Sequence, residues 1–119
     1  MKKSIPRESS IVDGIMKYLN SLPGCIARKR HGSAYGIKGD PDIYGVIPVS
    51  RWKIYDHPSG LTSYVTDSVA QHFEVEVKRP GKEPTILQQA RLKEWASACV
   101  PVLVATSVDD VKKFVEGMM

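Results

Sequence analysis

The chain has 119 residues, a formal net charge of +4 and 42% hydrophobic residues. That length fits one domain spanning 1–119, and that hydrophobic share builds a core, which excludes a disordered chain. No apolar run is long enough to cross a bilayer, and no apolar stretch follows the two lysines of the opening MKKSIPRESS. The expectation is a soluble, cytoplasmic protein with no membrane partner and no secretory signal.

Taken in chain order, a first helix is expected over 6–22. Pro6 suits a first helical position, and Ile11, Ile15, Tyr18, Leu19 and Leu22 recur at helical spacing before Pro23-Gly24 stops it. A short strand follows over 25–29. Gly32, Gly36, Gly39 and Pro41 punctuate a loop over 31–41, and 42–47 reads as a strand leaving it. Residues 51–65 read as a hairpin turning at His57-Pro58-Ser59-Gly60. The clearest strand is 72–78, with Phe73, Val75 and Val77 on one face and Glu74, Glu76 and Lys78 on the other. A helix opens at Thr85 and puts Leu92, Trp95, Ala96 and Cys99 on one face. Residues 102–105 form a short apolar strand. Ser107-x-x-Asp110 resembles a capping box ahead of a last helix carrying Val108, Val111, Phe114 and Val115. The order α-β-β-β-α-β-α, with a hairpin insertion at about 48–71, predicts an α/β fold with a central mixed sheet flanked by helices.

Cys25 and Cys99 form no CxxC pair and no zinc pattern, so both are read as small packed thiols in a reducing compartment, with a disulfide between them as the alternative. The basic excess, with a pI near 9.1, favours a polyanionic partner. It is uneven: Arg28, Lys29, Arg30 and His31 make one cluster, and Arg79 and Lys82 make another beside Lys78. His57 and His72 have no ligand spacing.

The chemistry sits in two segments. Strand 72–78 places two carboxylates and an ammonium on one face. Taken alone, that pattern also describes a solvated face laced with ion pairs. In Gly39-Asp40-Pro41-Asp42, Pro41 holds the chain extended and Asp42 stands at the mouth of a strand. Asp40 reads as a turn aspartate bonded to its own backbone. If strands 42–47 and 72–78 are neighbours, Asp42 and Glu76 converge and repel unless a cation joins them. Oxygen ligands of this kind suit Mg²⁺ or Mn²⁺, with waters and substrate phosphates completing the shell. Lys78 lies on the same face, where a phosphate would sit.

Pro41-Asp42 followed by Glu76-Val77-Lys78 resembles the signature of the PD-(D/E)xK nucleases. Gly39-Asp40-Pro41-Asp42-Ile43, Glu76-Val77-Lys78 and Thr85-x-x-Gln88 together resemble the VRR-NUC family within that superfamily. The resemblance implies a restriction-endonuclease-like core and a metal-dependent DNA endonuclease with no organic cofactor. It implies that the carbonyl of Val77 completes the metal ligands and that Glu8 joins the site, although Glu8 also reads as a first-turn glutamate favoured by the helix dipole. Gln88 reads equally as a catalytic group and as the far side of a capping box with Thr85. The stand-alone members this chain resembles imply branched DNA, such as Holliday junctions, as substrate and a homodimer as the working form. Cleavage of ordinary duplex and a non-catalytic nucleic-acid-binding module are the alternatives. The chain departs from the family in the length of 48–71, whose apolar residues fit either an interface or the monomer's own core, and at Cys99-Val100-Pro101, where a glycine is usual.

Overall fold

A computed structural model describes residues 4–31 and 36–119, so that Gly32 of the expected loop and the first three residues lie outside the described residues. The elements run α1 (Glu8–Ser21), β1 (Ile26–Lys29), β2 (Ile43–Asp56), β3 (Thr62–Val77), α2 (Ile86–Ser97), β4 (Val102–Ala105) and α3 (Val108–Met118). The four strands lie in spatial order β1-β2-β3-β4. The first three pair antiparallel and β4 joins β3 in parallel, giving a mixed sheet flanked by helices.

One face of the sheet holds the core. Ile43, Ile47, Phe73, Val75, Val77 and Ala105 point there and are buried beneath Ile11, Ile15 and Leu19 of α1 and Val111 and Val115 of α3. Their periods of two on the strands and three to four on the helices make this packing possible. Gly45 sits where the layers are tightest, since a Cβ there would lie 2.5 Å from the Ile26 carbonyl oxygen and 2.7 Å from the Phe73 ring.

Five expectations need correction. The first helix starts at Glu8, with Pro6 outside it and Arg7 at the cap without a side-chain bond. The strands expected over 42–47 and 72–78 are longer and take in the hairpin expected over 51–65: β2 and β3 stay paired from Ile43↔Val75 out to Asp56↔Thr62. The apolar stripe of the second helix buries nothing fully; Leu92 and Trp95 are half-buried and Ala96 is exposed. Cys99 lies beyond that helix, exposed and at φ 64°, a region that favours glycine, so only Cys25 is a packed thiol. At Ser107 the cap is displaced by one residue: Ser107 Oγ accepts from the Asp110 N–H, but Asp110 reaches back to the Thr106 N–H.

Candidate active site

The second sheet face carries the charges, and it is not solvated. The register Ile43↔Val75 sets Asp42 opposite Glu76, where β2 enters the sheet and β3 leaves it. Asp42 Oδ2 accepts the Val77 N–H at 2.7 Å, which fixes the carboxylate against β3. The side chain of Glu76 is only 1% exposed, and neither of its oxygens has a hydrogen-bond donor among the described residues. Lys78 Nζ stands 3.9 Å from Glu76 Oε1, too far for a hydrogen bond. Burial first, then the charge of Asp42 and a proton shared with it, push the Glu76 carboxyl up to about 8; Lys78 opposes this and Glu8 adds to it.

A metal-free Glu76 is therefore a buried carboxyl lacking donors beside a second carboxylate. Glu76 oxygens without a donor, set beside the Asp42 carboxylate, fit a divalent cation. Among the described residues no group of three or more His, Cys, Asp or Glu is close enough to cage a metal. The donor set is a pair, Asp42 and Glu76, with Glu8 near enough to act on Glu76 through its charge. Val77 offers its N–H to Asp42. Gln88 is drawn into a capping box: its Oε1 accepts from the Thr85 N–H at 2.9 Å while Thr85 Oγ1 accepts from the Gln88 N–H at 3.2 Å.

The loop bearing Asp42 is clamped from both sides. Arg30 Nη1 donates to the Pro41 carbonyl at 2.8 Å, and the Arg30 N–H donates to that of Asp42 at 2.8 Å. From α2, Arg91 Nε donates to the Lys38 carbonyl at 3.1 Å and Trp95 Nε1 donates to Asp40 Oδ1 at 3.2 Å, so Asp40 holds a helix rather than its own turn. Gly39, at φ 86°, lets the loop pass Leu87, whose Cγ would lie 2.7 Å from any Cβ.

The hub of the clamp is Glu74. Its side chain is fully buried, and it accepts from both Arg30 Nη atoms and from His72. His72 stacks on Trp95, and the Arg30 guanidinium lies over Tyr44 and Trp95. Arg30 is thus committed to an internal ion pair and is not a free phosphate ligand. Arg28, Lys29, His31 and Lys82 are exposed, while Arg79 is half-buried with a buried Nε that lacks a partner among the described residues. A cleft of about 950 Å³ opens beside Asp42, lined among the described residues by Lys29, Arg30, His31, Lys38 and Tyr44.

Sequence reasoning missed Glu74, His72, Trp95 and Lys38. The signal for Glu74 was its place beside Glu76 in one period-two row; the signal for Trp95 was its place on the apolar stripe of α2. No family model matches the chain, and no curated protein and no solved structure matches it.

Proposed function

We propose that the chain is a divalent-metal-dependent DNA endonuclease of VRR-NUC type, acting on branched DNA such as Holliday junctions. One observation carries this reading: the buried Glu76 carboxyl has no hydrogen-bond donor among the described residues and faces Asp42. Ion-pair decoration of a solvated strand would leave its carboxylates in water. A purely structural buried carboxyl would have donors, as Glu74 has.

Asp42 and Glu76 would hold Mg²⁺ or Mn²⁺, and Glu8 would add charge from the start of α1. The bound ion supplies Lewis acidity toward the scissile phosphate and makes a nearby water more acidic. Lys78, with a side chain only 13% exposed, would place its ammonium against the charge that builds on the phosphorane oxygens. Lys29, His31 and Lys38 line the cleft next to Asp42 and would hold the DNA backbone. The exposed Arg28 and Lys82 and the half-buried Arg79 would add further basic charge. Such contacts give salt-dependent affinity with little sequence preference.

The test is a nicking assay on supercoiled plasmid and on a four-way junction, with Mg²⁺, with Mn²⁺ and with chelator. Metal-dependent cleavage of the junction in preference to matched linear duplex is expected. Equal cleavage of both would leave a duplex nuclease. Binding without cleavage in either metal would leave a non-catalytic module.

A further inference from the structure

The cleft beside Asp42 has a neighbour. A second cavity, of about 470 Å³, lies against it and shares Ile37 and Asp40 as walls. Its volume falls within the roughly 300–1,000 Å³ of small-ligand sites. Among the described residues its remaining lining is Arg91, Glu94 and Trp95 of α2 and Ala98, which caps that helix. Only Pro41 stands between Asp40 and Asp42, and it holds the chain extended, so about 7 Å of backbone joins this cavity to the proposed metal site.

The walls have a definite chemistry. Trp95 offers an aromatic surface that is already fixed in place: His72 stacks on the indole at 5.3 Å between ring centroids, and Nε1 donates to Asp40 Oδ1 at 3.2 Å. His72 and Arg30 both bond Glu74 on the sheet, so they hold Trp95 from the sheet side and leave its other side to the cavity. Ile37, 65% exposed, adds an apolar side chain beside it. Among the described residues only Oδ1 of Asp40 accepts a hydrogen bond, so Oδ2 is open to a donor. Arg91 is committed to Glu94 and to the Lys38 carbonyl. Two carboxylates thus face one engaged guanidinium, whereas Lys29, Arg30, His31 and Lys38 line the neighbouring cleft. Phosphate is drawn to the cleft and repelled from the cavity. A flat, neutral group with N–H donors fits the cavity instead.

We propose that this cavity is a nucleobase subsite: an unpaired base next to the scissile phosphate stacks on Trp95 beside Ile37 and turns its donor edge to Asp40 Oδ2. The subsite rests on the reading of the chain as a nuclease of branched DNA, and it names what is recognised there, the unpaired base rather than the meeting of helices. Guanine suits it best, because its ring N–H and exocyclic amine both donate along one edge and a carboxylate only accepts. A base inside a duplex has its faces stacked and its donors engaged, so it enters only at the cost of leaving its partner. A base that is already unpaired has little to lose. Stacking on one aromatic side chain is strong enough to separate the two cases. The division of labour follows: the basic cleft holds the backbone, Asp42 and Glu76 hold the metal, and α2 reads whether a base is free.

The test is binding of fluorescein-labelled duplexes, read by anisotropy with Ca²⁺ in place of Mg²⁺. One duplex carries a single unpaired guanine, one an abasic unit at the same place, and one is fully paired. The abasic unit keeps the bend and removes the base, so it separates base recognition from bending. The wild type should bind the guanine bulge roughly tenfold or more tighter than either of the others. Trp95→Ala should bring that ratio close to one. Ala98→Leu, which fills the cavity from an exposed position and leaves the Trp95 contacts in place, should do the same and decides the matter if Trp95→Ala fails to fold. Arg51→Ala, on the bare outer arm that β2 and β3 form over 50–70, should keep the wild-type ratio. The chain has two tryptophans, so Trp52→Phe leaves Trp95 alone, and its emission should fall with the guanine bulge and not with the abasic one. Equal affinity of the wild type for all three duplexes overturns the proposal, as does a wild-type ratio in Ala98→Leu or an equal loss in Arg51→Ala. Plasmid nicking in Mg²⁺, measured separately, keeps the two readings apart. Cleavage without a preference for the guanine bulge sinks the subsite alone, and the preference without cleavage sinks the nuclease reading alone.

Discussion

The two halves of the β2–β3 ribbon reverse the usual placement of polar and apolar groups. In the body, Glu74 and Glu76 are buried on β3. In the arm, on the same two strands and in the same register, Trp52, Ile54 and Tyr64 stand in water. Pairing is therefore not what decides burial. In the body, β1, β4 and α2 wall the charged face, and Glu74 is satisfied by Arg30 and His72 while Glu76 is left without donors. In the arm no element among the described residues lies over either face. A carboxyl buried without donors and an aromatic face left in water are both unfavourable, for opposite reasons.

The largest effect expected is on the buried pair. Asp42→Ala and Glu76→Ala should each lower cleavage in Mg²⁺ by about a thousandfold or more. The metal-free thermal stability of Glu76→Ala should hold or rise, because a like-charge contact is gone, whereas Asp42→Ala also strands the Val77 N–H and should lose stability. Wild-type cleavage by either variant would remove the proposed site. Next, Arg30→Ala strands Glu74 with only His72 and should cost about 3 kcal/mol, read in urea melts. Arg51→Ala, at an exposed arm position, should cost less than about 0.5 kcal/mol; similar losses in the two variants would erase the contrast between body and arm. Lys78→Ala should reduce the single-turnover rate roughly a hundredfold while DNA affinity changes little. The reverse pattern would make Lys78 an ordinary phosphate contact.

A pH titration probes the same carboxyl. Its folded pKa of about 8 lies above the ordinary 4.5, so the folded chain holds a proton that the unfolded chain gives up. Stability without metal should be full below about pH 4.5 and fall as the pH rises toward 8, by at most about 1.4 kcal/mol per pH unit. Mg²⁺ should flatten the slope and Glu76→Gln should remove this contribution; a slope unchanged by both would place the titration elsewhere. The smallest effect concerns a strained position of the body. Gly60 at the arm's tip and Cys99 after α2 both have positive φ, but only the first is glycine. Cys99→Gly should gain about 1 kcal/mol in thermal melts, and a loss there would mean the thiol makes a contact worth more than the strain.

Much of this was legible in local pattern. The alternation of Phe73, Val75 and Val77 against Glu74, Glu76 and Lys78 identified β3 and its two faces. The spacing of Ile11, Ile15 and Leu19 identified α1, and Thr85-x-x-Gln88 announced a helix start that turned out to be a reciprocal cap. Asp42 beside Glu76 followed from adjacency of two strands, an assumption that their register meets.

Period and spacing are properties of neighbours in sequence, so they determined which residues share a face of each element. They do not carry what lies over that face. That Arg30 belongs to Glu74, 44 residues away, could not be told from its place in a run of four basic residues, because burial and partner depend on how β1, β3 and α2 meet. Likewise the apolar residues of 48–71 read equally as core and as interface. Only the tertiary structure kept Trp52, Ile54, Tyr55, Leu61, Tyr64 and Val65 out of the core, since among the described residues β1 and β4 are too short to follow β2 and β3 outward and no helix reaches the ribbon they leave bare.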